Sequence, residues 1–231
     1  MISVEKLRKY YDGNIVVDVQ RLRIAEGEVV GIIGNNGAGK TTLFRLLLDL
    51  VKPDTGLVTI AEKPIKGKFE WKLFTAAFLD EGYLIDYLTP EEFFYFVGGL
   101  CKKNKATIDE QLLTLVDIFN GEILNKGKYI RDLSKGNQSK VGLAACLLRD
   151  PKLLILDEPF ANIDPSTQIR LKNILQKLSS SQKVTIIISS HDLTHVTDIC
   201  DRILLMEKGR IVKDIVTSAT TLADLQSYFS I

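Results

Sequence analysis

Two histidines and three cysteines are all that 231 residues offer to a soft metal, and no C-x-x-C pair occurs among them. A His- or Cys-rich metal centre is therefore excluded. The widely separated thiols Cys101, Cys146 and Cys200 are odd in number, which argues against a disulfide framework and for a reducing cytosol. Charge of one sign is also missing. Thirty Lys and Arg stand against 29 Asp and Glu, a net charge of +1, so no strong field points to nucleic acid or acidic lipid. No direct nucleic-acid partner is expected. Long apolar runs are absent: Val29 to Gly34 and Leu153 to Leu156 are strand-length, far below the ~20 residues that cross a bilayer. The opening MISVEKLRKYYDG has charges where a signal peptide needs an apolar stretch. The chain is expected to be soluble and cytoplasmic, with any membrane role supplied through a partner.

What is there alternates between two patterns. Ser3 to Tyr11 and Asn14 to Ile24 read as strands around the turn Asp12-Gly13, a hairpin signal. Val29 to Ile33 is a continuous apolar run of buried-strand character. A Gly-rich loop follows, then a helix over Thr41 to Leu50, the turn Pro53-Asp54-Thr55-Gly56 and a strand Leu57 to Ala61. From Pro90 to Arg149 the signals are helical. Thr89 is an N-cap with Pro90 at the first helical position, and helices are expected over Ile108 to Phe119 and Asn137 to Leu148. Beyond Asp150 strands Lys152 to Leu156, Val184 to Ser189 and Arg202 to Met206 alternate with helices from Pro165 and from Asp192. Alternation of this kind implies an α/β fold with a mixed or parallel sheet. The expected organisation is one domain over 1–231, with an antiparallel β portion near the N-terminus. Its core is 1–80 and 150–231, and 81–149 is an inserted helical subdomain.

Gly34-Asn35-Asn36-Gly37-Ala38-Gly39-Lys40-Thr41 fits G-x-x-x-x-G-K-[ST], set between a strand and a helix as a phosphate-binding P-loop requires. Glycines let backbone N–H groups converge on an oxyanion, and the helix N-terminus, with Thr42 in its first turn, adds partial positive charge. Lys40 is expected at the β and γ phosphates and the Thr41 hydroxyl on Mg²⁺. Leu153 to Leu156 then delivers Asp157 and Glu158 to a strand's C-terminal end, where α/β sheets bind ligands. Asp157 is suited to hold Mg²⁺ through its water shell, and Glu158 to act as general base, a role worth ~10²–10⁴-fold.

With these motifs in place, the chain resembles the ATP-binding cassette (ABC) family, and the likeness runs along essentially its whole length. Leu133-Ser134-Lys135-Gly136-Asn137, followed by Gln138, resembles the LSGGQ signature and lies between the P-loop and the acidic strand end. Ala161-Asn162-Ile163-Asp164 resembles the D-loop, Ser190-His191-Asp192 the segment of the switch histidine, and Tyr11 (or Tyr10) the aromatic that stacks on adenine. The resemblance implies an ATPase using ATP and Mg²⁺. Two chains sandwich two nucleotides, and Ser134, Lys135, Gly136, Asn137 and Asp164 approach the partner's ATP. Glu158 and His191 serve hydrolysis. Two departures stand out. Asp80 occupies the usual glutamine position of the Q-loop, where it can accept from a metal-bound water but cannot donate. Lys135 replaces a signature glycine and is expected to face solvent.

The family likeness further implies transmembrane permease subunits as partners and a location on the inner face of the cell membrane, in a homodimer or heterodimer of ATPase chains. Acidic residues at the Q-loop position resemble exporter subunits, so export is the expected direction. A non-transport cassette acting on ribosomes or DNA is the alternative, although such proteins resemble fused cassettes or carry large insertions. The aromatic residues Trp71, Tyr83, Tyr87 and Phe93-Phe94-Tyr95-Phe96 are open to two explanations, a groove for a membrane subunit's helix or packing between subdomains.

Overall fold

The Asp12-Gly13 turn, with both residues at positive φ, closes a hairpin between strands β1 (Ile2–Tyr11) and β2 (Asn14–Ile24). In the computed structural model, which describes residues 1–79 and 83–229, this hairpin joins β4 (Thr55–Ile60) and β5 (Lys63–Pro64) in an antiparallel sheet of order β2-β1-β4-β5. The second sheet has the order β10-β9-β3-β8-β7-β6. Its strands are β3 (Val29–Ile33), β6 (Thr75–Phe78), β7 (Leu153–Leu156), β8 (Thr185–Ser190), β9 (Arg202–Glu207) and β10 (Arg210–Val216). All pairs are parallel except β9 with β10.

Side chains divide between the faces of this sheet with the strand period of two. Val30, Ile32, Leu153, Ile155, Leu204 and Met206 meet the antiparallel sheet and helix α1 (Lys40–Leu47) in one core. Val29, Ile33, Leu154, Leu156, Ile203 and Leu205 meet the opposite layer, formed by α6 (Pro165–Gln182), α7 (Leu193–Ile199) and α8 (Thr221–Phe229). Burial on both faces is why these strands read as unbroken apolar runs. Between β6 and β7 every described element is helical: α2 (Pro90–Leu100), α3 (Lys105–Thr114), α4 (Val116–Phe119), a 3-10 turn and α5 (Lys135–Leu147). They enclose a third core around Phe94, Ile108, Phe119, Ile130 and Val141.

Three sequence expectations shift. The helix foreseen over Ile108 to Phe119 is two helices that break at Leu115. Helix α1 stops at Leu47, because Asp49 turns to φ 52°. Helix α5 begins at Lys135, two residues early, because the Ser134 hydroxyl caps it by accepting from Asn137 N. The Thr89 cap is as expected: a capping box with Glu92, and Pro90 at the first position. Strands β6 and β10 and helix α8 carry too little pattern to be read from sequence. β6 is four residues long, and β10 alternates weakly across a bulge.

Candidate nucleotide site

Parallel pairing brings the C-terminal ends of β3, β8, β7 and β6 to one edge of the sheet. Ile33 is level with Ser190, Leu156 with Ile188, and Phe78 with Leu156. The residues that leave this edge are therefore Gly34, His191, Asp157 with Glu158, and the segment after Leu79. Asp80 lies outside the described residues.

The loop from Gly34 to Lys40 opens α1 without any side-chain cap, so the first N–H groups of the helix point into a cleft of about 220 Å³. Gly39 has to be glycine: its φ is 103°, and a Cβ there would stand 2.5 Å from Val16 O. Residues 36–42, Val16, Asp157 and Glu158 line the cleft. Lys40, almost fully buried, donates from Nζ to Gly34 O at 2.6 Å, and Nζ is 3.9 Å from Glu158 Oε1. Its charge is thus held over the loop, ready for an anion.

Around the acidic pair the contacts are tight. The Thr41 hydroxyl donates to Asp157 Oδ2 at 2.5 Å, and Asp157 Oδ1 accepts a short hydrogen bond from Ser189 Oγ. The same Ser189 oxygen accepts from Glu158 N at 2.9 Å. Glu158 sits at φ 49°, a left-handed conformation that costs a non-glycine residue about 1 kcal/mol or more and marks a position fixed by its surroundings. Its Oε2 lies 2.8 Å from His191 Nδ1. A carboxylate only accepts, so Nδ1 carries the hydrogen in this contact.

Thr41 and Asp157 offer hard oxygen donors at the mouth of the cleft. Among the described residues no group of three or more His, Cys, Asp or Glu is arranged to hold a metal. A pair of oxygens beside a phosphate loop suits Mg²⁺, which keeps waters and substrate phosphates as its other ligands. The residues present fit that ion.

The signature segment lies elsewhere. Ser134, Lys135, Gly136 and Asn137 form the start of α5, and none of them lines the cleft. Lys135 is exposed, as expected. Gln138 Nε2 donates to Ile130 O and Leu133 O, both at 3.1 Å, which fixes the loop ahead of the helix. Asp164, expected toward a partner chain's nucleotide, makes its contacts within this chain at the start of α6. It caps α6, accepting from Thr167 N and the hydroxyls of Ser166 and Thr167, and it pairs with Lys140 at 3.0 Å. The Ser166 and Thr167 hydroxyls, helped by Lys140, hold its carboxyl far below the usual carboxylate range. Tyr11 and Tyr10 end β1 beside the Asp12-Gly13 turn. Both are exposed and neither lines the phosphate cleft.

The aromatic residues divide. Phe93 and Phe94 are buried in the helical core, Tyr95 is half-buried with its hydroxyl donating to Asp109, and Phe96 is exposed. Trp71, Leu79, Tyr83, Leu84 and Phe93 line two adjoining clefts that share Leu79 and Tyr83, one of about 280 Å³ between β6 and the end of α1 and one of about 180 Å³ where β6 meets α2 and α5. Tyr87 lies outside both, with its ring under the Arg131 guanidinium at 4.8 Å. Sequence reasoning missed Ser189 and Lys140. The only available signal was a polar residue inside an otherwise apolar strand or helix face.

The family model described as ABC transporter matches residues 17–161. An uncharacterized ABC transporter ATP-binding protein of Synechocystis is 34% identical over 83% of this chain, which spans 54% of that relative, about half its length. The aliphatic sulfonates import ATP-binding protein SsuB 2 of Paraburkholderia xenovorans is 33% identical over 91% of this chain and 78% of its own length. Among solved structures, a dimeric post-hydrolysis state of the ATP-binding cassette MJ0796 with ADP and Pi superposes with a TM-score of 0.84 at 22% identity. It covers 95% of this chain and all of that one. cbiO1 of Clostridium perfringens, part of the transporter complex cbiONQ, superposes with a TM-score of 0.78 at 28% identity over 99% and 93% of the two chains. A relative named for import leaves the expectation of export without support. This chain belongs to the ABC transporter family and carries the family's ATPase domain.

Proposed function

We propose that the chain is the ATP-binding and ATP-hydrolysing subunit of an ABC transporter, peripheral on the cytoplasmic face of a membrane, and that it works as a pair. The observation that carries the reading is the arrangement at one sheet edge: Lys40 over the phosphate loop, Thr41 against Asp157, and Glu158 against His191.

The loop amides and Lys40 bind the β and γ phosphates of ATP, with Tyr11 or Tyr10 at the adenine. Thr41 and Asp157 would hold Mg²⁺, which when bound would neutralise charge on those phosphates, with Asp80 a further acceptor toward the metal's water shell. Glu158 uses Oε1 to take the proton of the attacking water while His191 fixes Oε2. Residues 34–42 thus bind, and Glu158 and His191 catalyse. The γ-phosphate is completed by the exposed N-terminus of α5, with Ser134, Lys135, Gly136 and Asn137, from a second chain. That chain is a copy of this one or a near relative. Opening and closing of the pair drives separate membrane-spanning subunits. A short helix of such a subunit sits in the two clefts along β6, with 81–149 acting as a helical subdomain beside them.

The test is Glu158→Gln. It keeps the side chain's shape and removes the base. It should bind Mg-ATP, turn over at least ~100-fold more slowly, and accumulate as ATP-dependent dimers on sizing with light scattering. Hydrolysis at the parental rate would overturn the catalytic assignment.

A further inference from the structure

Lys140 is nearly fully buried, an unusual place for a lysine. It lies on α5, just over one turn beyond the helix start, and its ammonium reaches Asp164 Oδ2 at 3.0 Å and Glu122 Oε2 at 3.7 Å. A second junction between the same two segments lies beside it. At Gly136 a Cβ would stand 2.3 Å from Asn162 O, so the backbone at the start of α5 rests directly on the loop 161–164. That loop is short and tethered. Ala161 N donates to Glu158 O at 3.0 Å, Gln168 Nε2 donates to Phe160 O at 3.0 Å, and Asp164 closes it as the cap of α6. From the anion-ready end of α5 to Glu158 there is thus a continuous path of packed backbone, with an ion pair pinning its far end.

We infer that Lys140 is a positioning residue. It fastens the phosphate-facing end of α5 to the loop that follows Glu158, so that capture of a partner chain's nucleotide by α5 sets Glu158 of the same chain in place for its own. The inference rests on the two-chain reading above. It assigns Lys140 no contact with ATP. It predicts that breaking the clasp damages turnover and cooperativity while leaving nucleotide capture by Lys40 and Thr41 alone.

The experiment uses the full chain carrying Lys140→Met, with Lys140→Arg as the conservative variant. Binding of Mg-ATP to the monomer should remain within about twofold of parental. The kcat should fall about tenfold or more, and the sigmoidal dependence of rate on ATP that the two-chain reading predicts for the parent should flatten. In the Glu158→Gln background, the ATP-dependent dimer should become scarcer. Lys140→Arg should restore all three properties. Asp164→Asn breaks the same pair from the other side and retains a side chain suited to the helix cap. It should reproduce the Lys140→Met pattern, so a failure of Lys140→Met to fold does not end the test. Parental kcat and cooperativity in folded Lys140→Met or Asp164→Asn, with Glu158→Gln still dimerising, would overturn the clasp alone. Absence of any dimer in Glu158→Gln with Lys140 intact would instead overturn the two-chain reading on which the clasp depends.

Discussion

Replacing Ser189 by Ala removes one oxygen that two functional residues share. Ser189 has no exposed surface; its hydroxyl donates to Asp157 Oδ1 and accepts from Glu158 N. Loss of a hydrogen bond to a carboxylate costs about 1.5–3 kcal/mol, and an amide left unpaired in the interior costs about 1–3 kcal/mol. The sum, about 2.5–6 kcal/mol, is a ceiling, because Glu158 is only half-buried and its backbone can relax toward water. A loss of about 2–3 kcal/mol in urea unfolding is expected, which a domain of ordinary stability survives. The functional cost is separate: with its amide released, Glu158 no longer has a fixed backbone. Its kcat should fall at least ~10-fold, equivalent to about 1.4 kcal/mol of barrier. Ser190→Ala is the matched control. The Ser190 hydroxyl accepts from Asp192 N at 3.0 Å and contacts neither acid, so stability should change by about 1 kcal/mol and kcat by less than about threefold. The reasoning is refuted if Ser189→Ala unfolds within about 0.5 kcal/mol of the parent and hydrolyses ATP at the parental rate.

Lys40→Ala should lose most of its affinity for Mg-ATP in a fluorescent-nucleotide titration, because the loop's one buried ammonium is gone; unchanged affinity would remove Lys40 from the site. Asp164 has a depressed carboxyl in the folded chain, so its contribution to stability is fully present above the ordinary value of 3.8 and is lost as pH falls through the lower folded value. The gap in urea midpoint between the parent and Asp164→Asn should hold steady from about pH 5 to 7 and narrow below about pH 4. A gap that widens on acidification would contradict the assignment. Burial pushes the Cys146 thiol up to about 12 and raises Cys200 as well. A thiol reagent at pH 8 should therefore label Cys101 first and reach the other two only on unfolding. Tyr83, largely exposed at the rim of both clefts, should tolerate Tyr83→Ser with parental ATPase activity and a loss of transport in reconstituted vesicles; lost ATP binding would favour a packing role.

Much of the site was legible because its chemistry lies in short contiguous strings. The P-loop, the Asp157-Glu158 pair and the Ser190-His191-Asp192 segment each follow an apolar strand, and strand burial makes those runs conspicuous. What sequence could not show is what joins them. Ser189 reads as a polar end to β8, yet it ties Asp157 to the backbone of Glu158 across a strand pairing that only the sheet order reveals. The motif points Asp164 toward a partner's nucleotide and is silent on its contacts with Ser166, Thr167 and Lys140 within the chain. The aromatic run on α2 separates into buried and exposed members only once the helix is packed. Helix periodicity predicted such a division without saying which face is which.

The placement of the signature segment carries the strongest structural argument for pairing. Ser134 caps α5 with its hydroxyl oxygen, so an exposed helix start is built and locally satisfied, yet no residue of α5 lines the cleft beside Lys40. Within one chain the start of α5 and the cleft beside Lys40 are therefore separate places. If identical chains meet around a two-fold axis, each contact made by the first on the second is repeated in reverse, so each chain's α5 reaching the other's cleft makes two equivalent sites. A mixed dimer makes this separable. With Ser134 replaced in one chain and Glu158 in the other, both defects fall on a single site if α5 acts across the interface, and the second site keeps a working Glu158 with an intact Ser134 opposite. If α5 served its own chain's cleft instead, each site would carry one defect and neither would turn over.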